Sequence, residues 1–140
     1  MATREPSADQ VIDAAQCIVD AFAATDGDRY FACFSPDATF CFHTEPERLN
    51  DRAAYERLWQ EWISSGWRVR SCESSNQLVQ TFPGGAVFTH DVATIVATAD
   101  GEELTHERET IVFRVSDDDG LVAIHEHLSP APVDLSGETP

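Results

Sequence analysis

The chain has 140 residues, a length that predicts one domain, and its 42 % hydrophobic content is enough to build a core. It carries 25 Asp and Glu against 9 Arg and no Lys, which gives a net charge of −16. This charge disfavours nucleic acid and anionic membrane surfaces as partners. The missing lysines exclude Schiff-base chemistry.

The cysteines and the first residues predict a cytoplasmic protein. The four cysteines are far apart and form no C-x-x-C pair, so we expect reduced thiols rather than a zinc ribbon or a redox motif: Cys17, Cys33, Cys41 and Cys72. The first ten residues include Glu5 and Asp9 and no apolar run, so no secretory signal is expected. No apolar stretch approaches the roughly 18 residues that a membrane span needs.

Two helices are predicted at the start of the chain. Ser7 is a suitable N-cap, and apolar residues then recur at helical spacing, which predicts a helix over residues 8–25. Asp26-Gly27-Asp28 breaks it, and a short second helix follows over 29–34. Ser35-Pro36-Asp37 is expected to stop this second helix.

A strand and a third helix follow. Residues 38–43 are rich in aromatic and β-branched side chains, which favours a strand. Asn50-Asp51 opens the third helix, and it ends at Ser64-Ser65-Gly66. Its apolar stripe is expected to pack in the core: Tyr55, Leu58, Trp59 and Trp62.

The second half of the chain is predicted to form four strands. They are predicted over residues 67–82, 86–99, 103–116 and 121–129, with a bulge or strong bend in the first because its period is mixed. We therefore expect a flexible N-terminus at 1–7, a single α+β domain at 8–130 and a flexible acidic tail at 131–140.

Two stretches resemble a known family. They are F-x-x-x-D-x-D-x-Y-F-A-x-F-x-P-D-A-T-F from Phe22 to Phe40 and D-G-x-x-x-x-H-E-H-x-S from Asp119 to Ser129. Together with the element order they resemble the nuclear transport factor 2-like superfamily, in its SnoaL-like branch. The ending is also similar to the association domain of calcium/calmodulin-dependent kinase.

The resemblance covers residues 11–132 and implies a fold more than a function. It implies a cone-shaped roll, in which about three N-terminal helices pack on a strongly curved, mostly antiparallel sheet. A pocket would lie in the wide end, and a homodimer would form through the outer face of the sheet. This fold carries isomerases, cyclases, dehydratases, hub domains and binding proteins, so the function stays open.

One activity of the superfamily is disfavoured. Ketosteroid isomerases of this fold use a tyrosine in the first helix and an aspartate that closes the first strand. Alignment on A-T-F places Ile18 and Phe42 at these two positions. Neither side chain can exchange a proton, so that mechanism is not expected.

The turns predict which side chains share a face of the sheet. A two-residue turn at Asp100-Gly101 pairs Ala99 with Glu102, and a three-residue loop at 118–120 pairs the residues on either side of it. One face would then carry Thr89, Asp91, Arg108, Thr110, Val112, Ile124, Glu126 and Leu128. The other would carry Phe88, His90, Ile111, Phe113, His125 and His127.

The first of these faces is expected to be concave, because the kinase resemblance implies polar pocket groups at Thr110 and Leu128. The predicted catalytic residues are Glu126, Asp91 and Arg108, with His125 and His127 as alternatives if the last strand is reversed. The predicted ligand pocket is lined by Tyr30, Phe34, His43, Trp59, Trp62, Thr110 and Leu128. Two carboxylates beside an arginine suit acid–base catalysis, and a purely structural ion pair is the alternative.

Three histidines could together bind a metal ion. His125 and His127 share a face, and His90 would lie across Ile111 from them. These registers keep His90 and His127 on either side of Ile111, so packing in a dimer interface is the alternative. No metal and no cofactor are predicted.

Two functions remain after these arguments. The first is a cofactor-free isomerase, cyclase or hydratase, in which Glu126 or Asp91 moves a proton and Arg108 steadies an oxyanion on a small, largely apolar organic molecule. The second is a non-catalytic ligand-binding or oligomerisation (hub) module. A catalytic carboxylate in an apolar pocket would have a raised pKa, whereas one paired with arginine would have a lowered one.

Overall fold

The computed structural model describes residues 4–132. Of the flexible ends predicted at 1–7 and 131–140, residues 1–3 and 133–140 lie outside the described residues. The elements are α1 (Ala8–Ala23), α2 (Gly27–Ala32), β1 (Phe34–Phe42), α3 (Arg52–Ser64), β2 (Arg68–Phe82), β3 (Gly85–Thr98), β4 (Gly101–Val115) and β5 (Leu121–Pro130). Among residues 4–132 no helix is long and apolar enough to cross a membrane.

The five strands form one curved sheet in the order β1-β5-β4-β3-β2. Within residues 4–132, β1 and β5 pair in parallel, and the other three pairings are antiparallel. The three helices pack on the inner face of this sheet, and α1 lies mainly against β2. The predicted α+β class, with three N-terminal helices on a mostly antiparallel curved sheet, is confirmed.

Capping residues position the two longer helices. The Ser7 Oγ accepts a hydrogen bond from the Gln10 amide at 3.1 Å, and the Asp51 carboxylate accepts one from the Ala54 amide at 2.8 Å. Each satisfies an N–H that the helix itself leaves unpaired. Val11 and four further apolar residues of α1 are buried, whereas Phe22 is partly buried.

The second helix and the first strand begin earlier than the sequence predicts. The Asp26 carboxylate caps α2 by accepting from the Arg29 amide at 3.2 Å, so the helix starts at Gly27. β1 starts at Phe34, and Ser35-Pro36-Asp37 lies inside the strand instead of ending a helix. The pairing with β5 shifts register there. A proline is tolerated because β1 is an edge strand with an irregular ladder at that point.

The described part of the N-terminus is held against the domain. The Gly84 amide donates to the Arg4 carbonyl at 2.9 Å, and Pro6 is buried. Residues 4–7 therefore differ from the flexible N-terminus predicted for 1–7. The predicted irregularity in the long strand is confirmed, since β2 shifts register after Val69 and again after Ser75.

In the hairpin between β3 and β4, the side chains that were predicted to share a face of the sheet do share it. Thr98 pairs with Gly101, so Ala99 and Asp100 form the turn and Asp91 pairs with Arg108. The prediction placed Asp91 opposite Thr110, two residues away. An even shift leaves every side chain on its face.

In the pairing of β4 with β5, the side chains of the last strand after Ile124 share the opposite face of β4 from the one predicted. Val115 pairs with Leu121 and Phe113 with Ala123, but the next pair is Val112 with His125. Ile124 is thus the extra residue of a β-bulge, and it shifts the register by one. The predicted grouping of Glu126 with Arg108 on one face is therefore wrong.

Candidate functional site

A cavity of about 340 Å³ lies between the helices and the inner face of the sheet. Its wall is mainly apolar, from Ile18, Val19, Phe22, Phe42, Trp62, Trp67, Val92, Val96 and Leu128. Its polar groups come from Thr44, Glu45, Cys72, Thr94, Thr98, Glu103, Thr105, Glu107, Glu109 and Glu126, with Tyr30 and Tyr55. Apolar atoms nevertheless make up most of the exposed wall, and a largely apolar wall with polar groups at fixed positions is the usual form of a small-molecule site.

Two glutamates from neighbouring strands meet in the wall of this cavity. Glu109 lies on β4 opposite Leu128, and Glu126 lies on β5 opposite Ile111. Glu126 is 3 % exposed and Glu109 is 7 % exposed. Burial raises the pKa of both carboxyls, and the charge of Glu109 together with a hydrogen bond to it raises the pKa of Glu126 further. Glu126 is therefore the member of the pair that holds a proton.

A pair of tyrosines continues the network from Glu126. The Tyr30 hydroxyl donates to Glu126 Oε1 at 3.1 Å, and the Tyr30 and Tyr55 oxygens are 3.0 Å apart. Each hydroxyl has one hydrogen, so Tyr55 donates to Tyr30. Burial, followed by the charge of Glu126, raises the pKa of both tyrosines well above the ordinary value. Both hydroxyls therefore remain donors.

A histidine extends the network on the Glu109 side. His90 Nε2 lies 2.6 Å from Glu109 Oε1, and His90 Nδ1 lies 2.5 Å from Ser74 Oγ. Burial lowers the pKa of His90 to about 4, so the ring is neutral near pH 7. Gln77 donates to Ser74 Oγ at 2.9 Å, which leaves the serine hydrogen for Nδ1. The ring proton then sits on Nε2 and points at Glu109, which acts as the acceptor.

Further carboxylates lie around the cavity. Glu45, Glu103 and Glu107 contribute to its lining together with the buried pair. His43 Nε2 lies 2.5 Å from Glu107 Oε2. A negatively charged surround favours neutral or cationic ligands over anions.

Several residues predicted for the pocket do lie at the cavity. Tyr30, Trp62, Leu128 and Glu126 line it. The bulge puts Glu126 on the cavity face together with Glu109, and not with Arg108 as the sequence predicted. Its catalytic role stays a proposal.

Other predicted pocket residues lie elsewhere. Phe34 and Trp59 belong to the hydrophobic core, where the Trp59 and Tyr30 rings are stacked with centroids 5.2 Å apart. His43 lies beyond the end of β1 and is exposed, and it contacts the cavity-lining residue Glu107.

Three predicted site residues lie on the outer face of the sheet. Asp91, Arg108 and Thr110 point away from the cavity, because the inner face of β3 and β4 carries their neighbours instead. Asp91 accepts from Asn76 Nδ2 at 3.1 Å, and Arg108 is exposed. The prediction that these three face the pocket is wrong, and Arg108 cannot reach an oxyanion held there.

The alternative pair of histidines also faces outward. His125 lies opposite Val112 and His127 opposite Thr110. The Thr39 Oγ1 is 2.8 Å from His125 Nδ1. Burial, followed by the charge of His127, lowers the pKa of His125.

Glu109 was not predicted as a site residue, and His90 and Tyr55 were predicted in other roles. A signal for the first two exists in the period-2 pattern. Glu109 lies on the same strand face as Ile111 and Phe113, two and four residues further on. His90 lies on the same face as Phe88 and Val92, so both polar residues belong to apolar strand faces that are expected to face the core. Tyr55 gave no such signal, because a helical aromatic stripe is equally typical of plain core.

The chain resembles several solved structures at the level of fold. A nuclear transport factor 2-like superfamily protein from Salmonella enterica is 15 % identical, with a TM-score of 0.77 over 91 % of this chain and 93 % of that one. The calcium/calmodulin-dependent kinase II hub of S. rosetta is 21 % identical, with a TM-score of 0.71 over 90 % and 99 %. A structure from Catenulispora acidiphila in complex with S-DNPA is 13 % identical, with a TM-score of 0.72 over 86 % and 90 %.

The sequence itself also has a family match. No curated protein matches it significantly. The family profile described as the SnoaL-like domain matches residues 11–134, which is most of the chain. The protein belongs to the SnoaL-like domain family, within the nuclear transport factor 2-like fold.

Proposed function

We propose that this protein is a cofactor-independent enzyme, an isomerase, cyclase or dehydratase, that moves a proton on a small, largely apolar organic molecule. The observation that carries the proposal is the pair of buried glutamates, Glu109 and Glu126, in the wall of a mainly apolar cavity. Neighbouring carboxyls whose environments differ can serve as acid and base in one site.

The hydrogen-bond directions divide the roles. Glu109 accepts from His90 and from Glu126, so its carboxylate is the candidate base for a hydrogen on carbon beside a carbonyl. Glu126 holds a proton and is the candidate acid. Tyr30 and Tyr55 are donors that could stabilise an enolate oxygen as negative charge develops on it.

The lining indicates the substrate class. The apolar walls and the aromatic side chains Phe22, Trp62 and Trp67 suit a flat or cyclic hydrocarbon frame. The extra carboxylates around the cavity disfavour an anionic substrate. We therefore propose a neutral molecule that carries a carbonyl group.

The experiment measures exchange of α-hydrogens on a neutral bicyclic ketone, 2-tetralone, in heavy water by proton NMR. The proposal expects exchange above the buffer rate with the wild type and a loss of about 100-fold or more in Glu109→Gln. Glu61→Gln, an exposed glutamate on α3, is the matched control and should exchange normally. Exchange that is unchanged in Glu109→Gln would contradict the proposal.

A non-catalytic ligand-binding or hub module is the second candidate, favoured by the similarity to the S. rosetta hub. Tryptophan fluorescence distinguishes the two, because Trp62 and Trp67 line the cavity. A ketone that quenches the fluorescence without α-exchange would support a binding module. Quenching together with glutamate-dependent exchange would support the enzyme.

We also propose that the chain forms a homodimer through the outer face of the sheet. Leu78 and Leu104 are 58 % and 55 % exposed on the β2–β4 part of that face, beside half-buried Val87 and Ile95. Sedimentation of Leu104→Glu should show monomers where the wild type shows dimers. A monomeric wild type would contradict this. A cytoplasmic location belongs to the same proposal and is supported by the four free cysteines.

A further inference from the structure

A second group of chemically active side chains lies on the outer face of the sheet, where β1 and β5 run in parallel. Cys41 pairs with His127, and Thr39 pairs with His125. Alternate residues on a strand share a face, so the thiol and both imidazoles project to the same side. The bulge at Ile124 that turns Glu126 inward is also what turns the two histidines outward.

The donor atoms of this group are close enough to share one ion. The Cys41 sulfur and one ring nitrogen each of His125 and His127 all lie within 4.8 Å of one another. Ligands at tetrahedral Zn²⁺ distances would be separated by about 3.5 Å, so side-chain rotations on the order of 1 Å would close the site. The backbone is already fixed by the strand pairing.

We propose that Cys41, His125 and His127 form a Zn²⁺ site with three protein ligands and one open position. One thiolate with two imidazoles is a donor set that favours Zn²⁺ over Mg²⁺ or Ca²⁺, which prefer oxygen ligands. Three protein ligands with a free fourth position are typical of zinc sites that bind water or an external group.

Thr39 orients one of the ligands. Its Oγ1 lies 2.8 Å from His125 Nδ1, which leaves Nε2 of that ring as the atom that binds the ion. A metal-binding histidine usually has its other ring nitrogen held by a hydrogen-bond partner. The group thus has a supporting contact as well as three donors.

There is room for the fourth ligand. A surface depression of about 270 Å³ adjoins the group and is lined by Cys41 and His127, with Arg48 at its side. His127 is exposed and Cys41 is half-buried, so an ion can enter from solvent. Water or a small anion could complete the coordination there.

No metal is predicted from the sequence, because the predicted registers keep His90 and His127 on either side of Ile111, and Cys41 is not grouped with the histidines. In the structure His90 is on the inner face and Cys41 takes its place. The group lies on the opposite side of the sheet from Glu109 and Glu126. Zinc binding and the proposed proton transfer can therefore be tested separately.

The test uses the full-length, reduced protein after chelator treatment, with Co²⁺ as a spectroscopic probe for Zn²⁺. We expect one Co²⁺ per chain, an intense near-ultraviolet thiolate-to-cobalt band, and visible bands typical of four coordination. Zn²⁺ should displace the cobalt. Absence of a stoichiometric cobalt complex would overturn the proposal.

Matched variants locate the site. Cys41→Ser should abolish the thiolate band, and His127→Asn should weaken Zn²⁺ binding at least about 100-fold in competition with a chromophoric chelator. Cys33→Ser and His106→Ala are the controls and should bind as the wild type does. A thiolate band that survives Cys41→Ser, or that is lost in Cys33→Ser, would overturn the assignment.

A substitution beside the site tests the supporting contact. Thr39→Ala should lower Zn²⁺ affinity about 10–100-fold, and Thr39→Ser, which keeps the hydroxyl, should restore most of it. Circular dichroism of each variant checks that it is folded. Equal affinities for Thr39→Ala and Thr39→Ser would contradict the orienting role.

Discussion

Replacing Glu126 by glutamine should stabilise the protein at neutral pH. The amide oxygen can keep the hydrogen bond from Tyr30, and the amide nitrogen can donate to Glu109 as the protonated carboxyl does. The variant therefore resembles the native form of Glu126 but has no proton to lose in the unfolded chain.

The size of the stabilisation by Glu126→Gln depends on the pH. Glu126 is protonated in the folded protein at pH values where an ordinary glutamic acid, with a pKa of 4.5, is ionised in the unfolded chain. A raised native pKa stabilises the fold fully below pH 4.5, and that contribution is lost as the pH rises toward the native pKa. At about 1.4 kcal/mol per unit, the loss by pH 7 is at most about 3 kcal/mol, which Glu126→Gln avoids.

Urea denaturation at pH 7 and at pH 4 measures the difference. We expect a gain of up to about 3 kcal/mol in the free energy of unfolding at pH 7 and nearly none at pH 4. Glu61→Gln, at an exposed site, should change it by less than about 0.5 kcal/mol at both. Glu126→Gln that destabilises the protein at pH 7 would show that Glu126 is ionised, and would refute the reasoning.

Three further results are expected. Between pH 6.5 and 4, the free energy of unfolding of the wild type should fall by about 3 kcal/mol more than that of His90→Gln. The lowered pKa of about 4 gives a stabilisation that is fully present above pH 6.5 and is lost as the pH falls to 4. Parallel pH profiles of the two proteins would contradict this. In urea denaturation, Tyr55→Phe should cost about 1 kcal/mol and Tyr30→Phe more, since only the latter also removes a bond to Glu126; equal costs would contradict the network. Gly27→Ala should lower the melting temperature at a cost of about 1–3 kcal/mol, because its Cβ would lie 2.9 Å from Trp59 Nε1, and an unchanged melting temperature would show that the ring yields freely.

Local signals in the sequence predicted most of the fold. Ser7 and Asp51 mark helix starts because their side chains cap the next turn, an interaction that needs no tertiary contact. Turn residues and alternation likewise located the strands. The start of β1 was missed because Pro36 normally ends regular structure, and only pairing with β5 shows that the strand tolerates it.

The site was harder to predict because it depends on one bulge. The first four residues of the last strand are all apolar: Leu121, Val122, Ala123 and Ile124. Both faces of the strand are therefore apolar there, and the sequence pattern does not reveal which face is buried. The extra residue at Ile124 decides it, and a bulge depends on how β4 and β5 pack. The bulge places Glu126 on the same face as Glu109 and the two histidines on the same face as Arg108.

The most direct test of this account is a pH titration of glutamate side-chain carboxyls by carbon-13 NMR on the full chain. Two carboxyl signals, assigned through their loss in Glu109→Gln and Glu126→Gln, should titrate above the ordinary value of 4.5, with that of Glu126 the higher. Signals from both residues that titrate at or below 4.5 would contradict a buried glutamate pair that shares a proton.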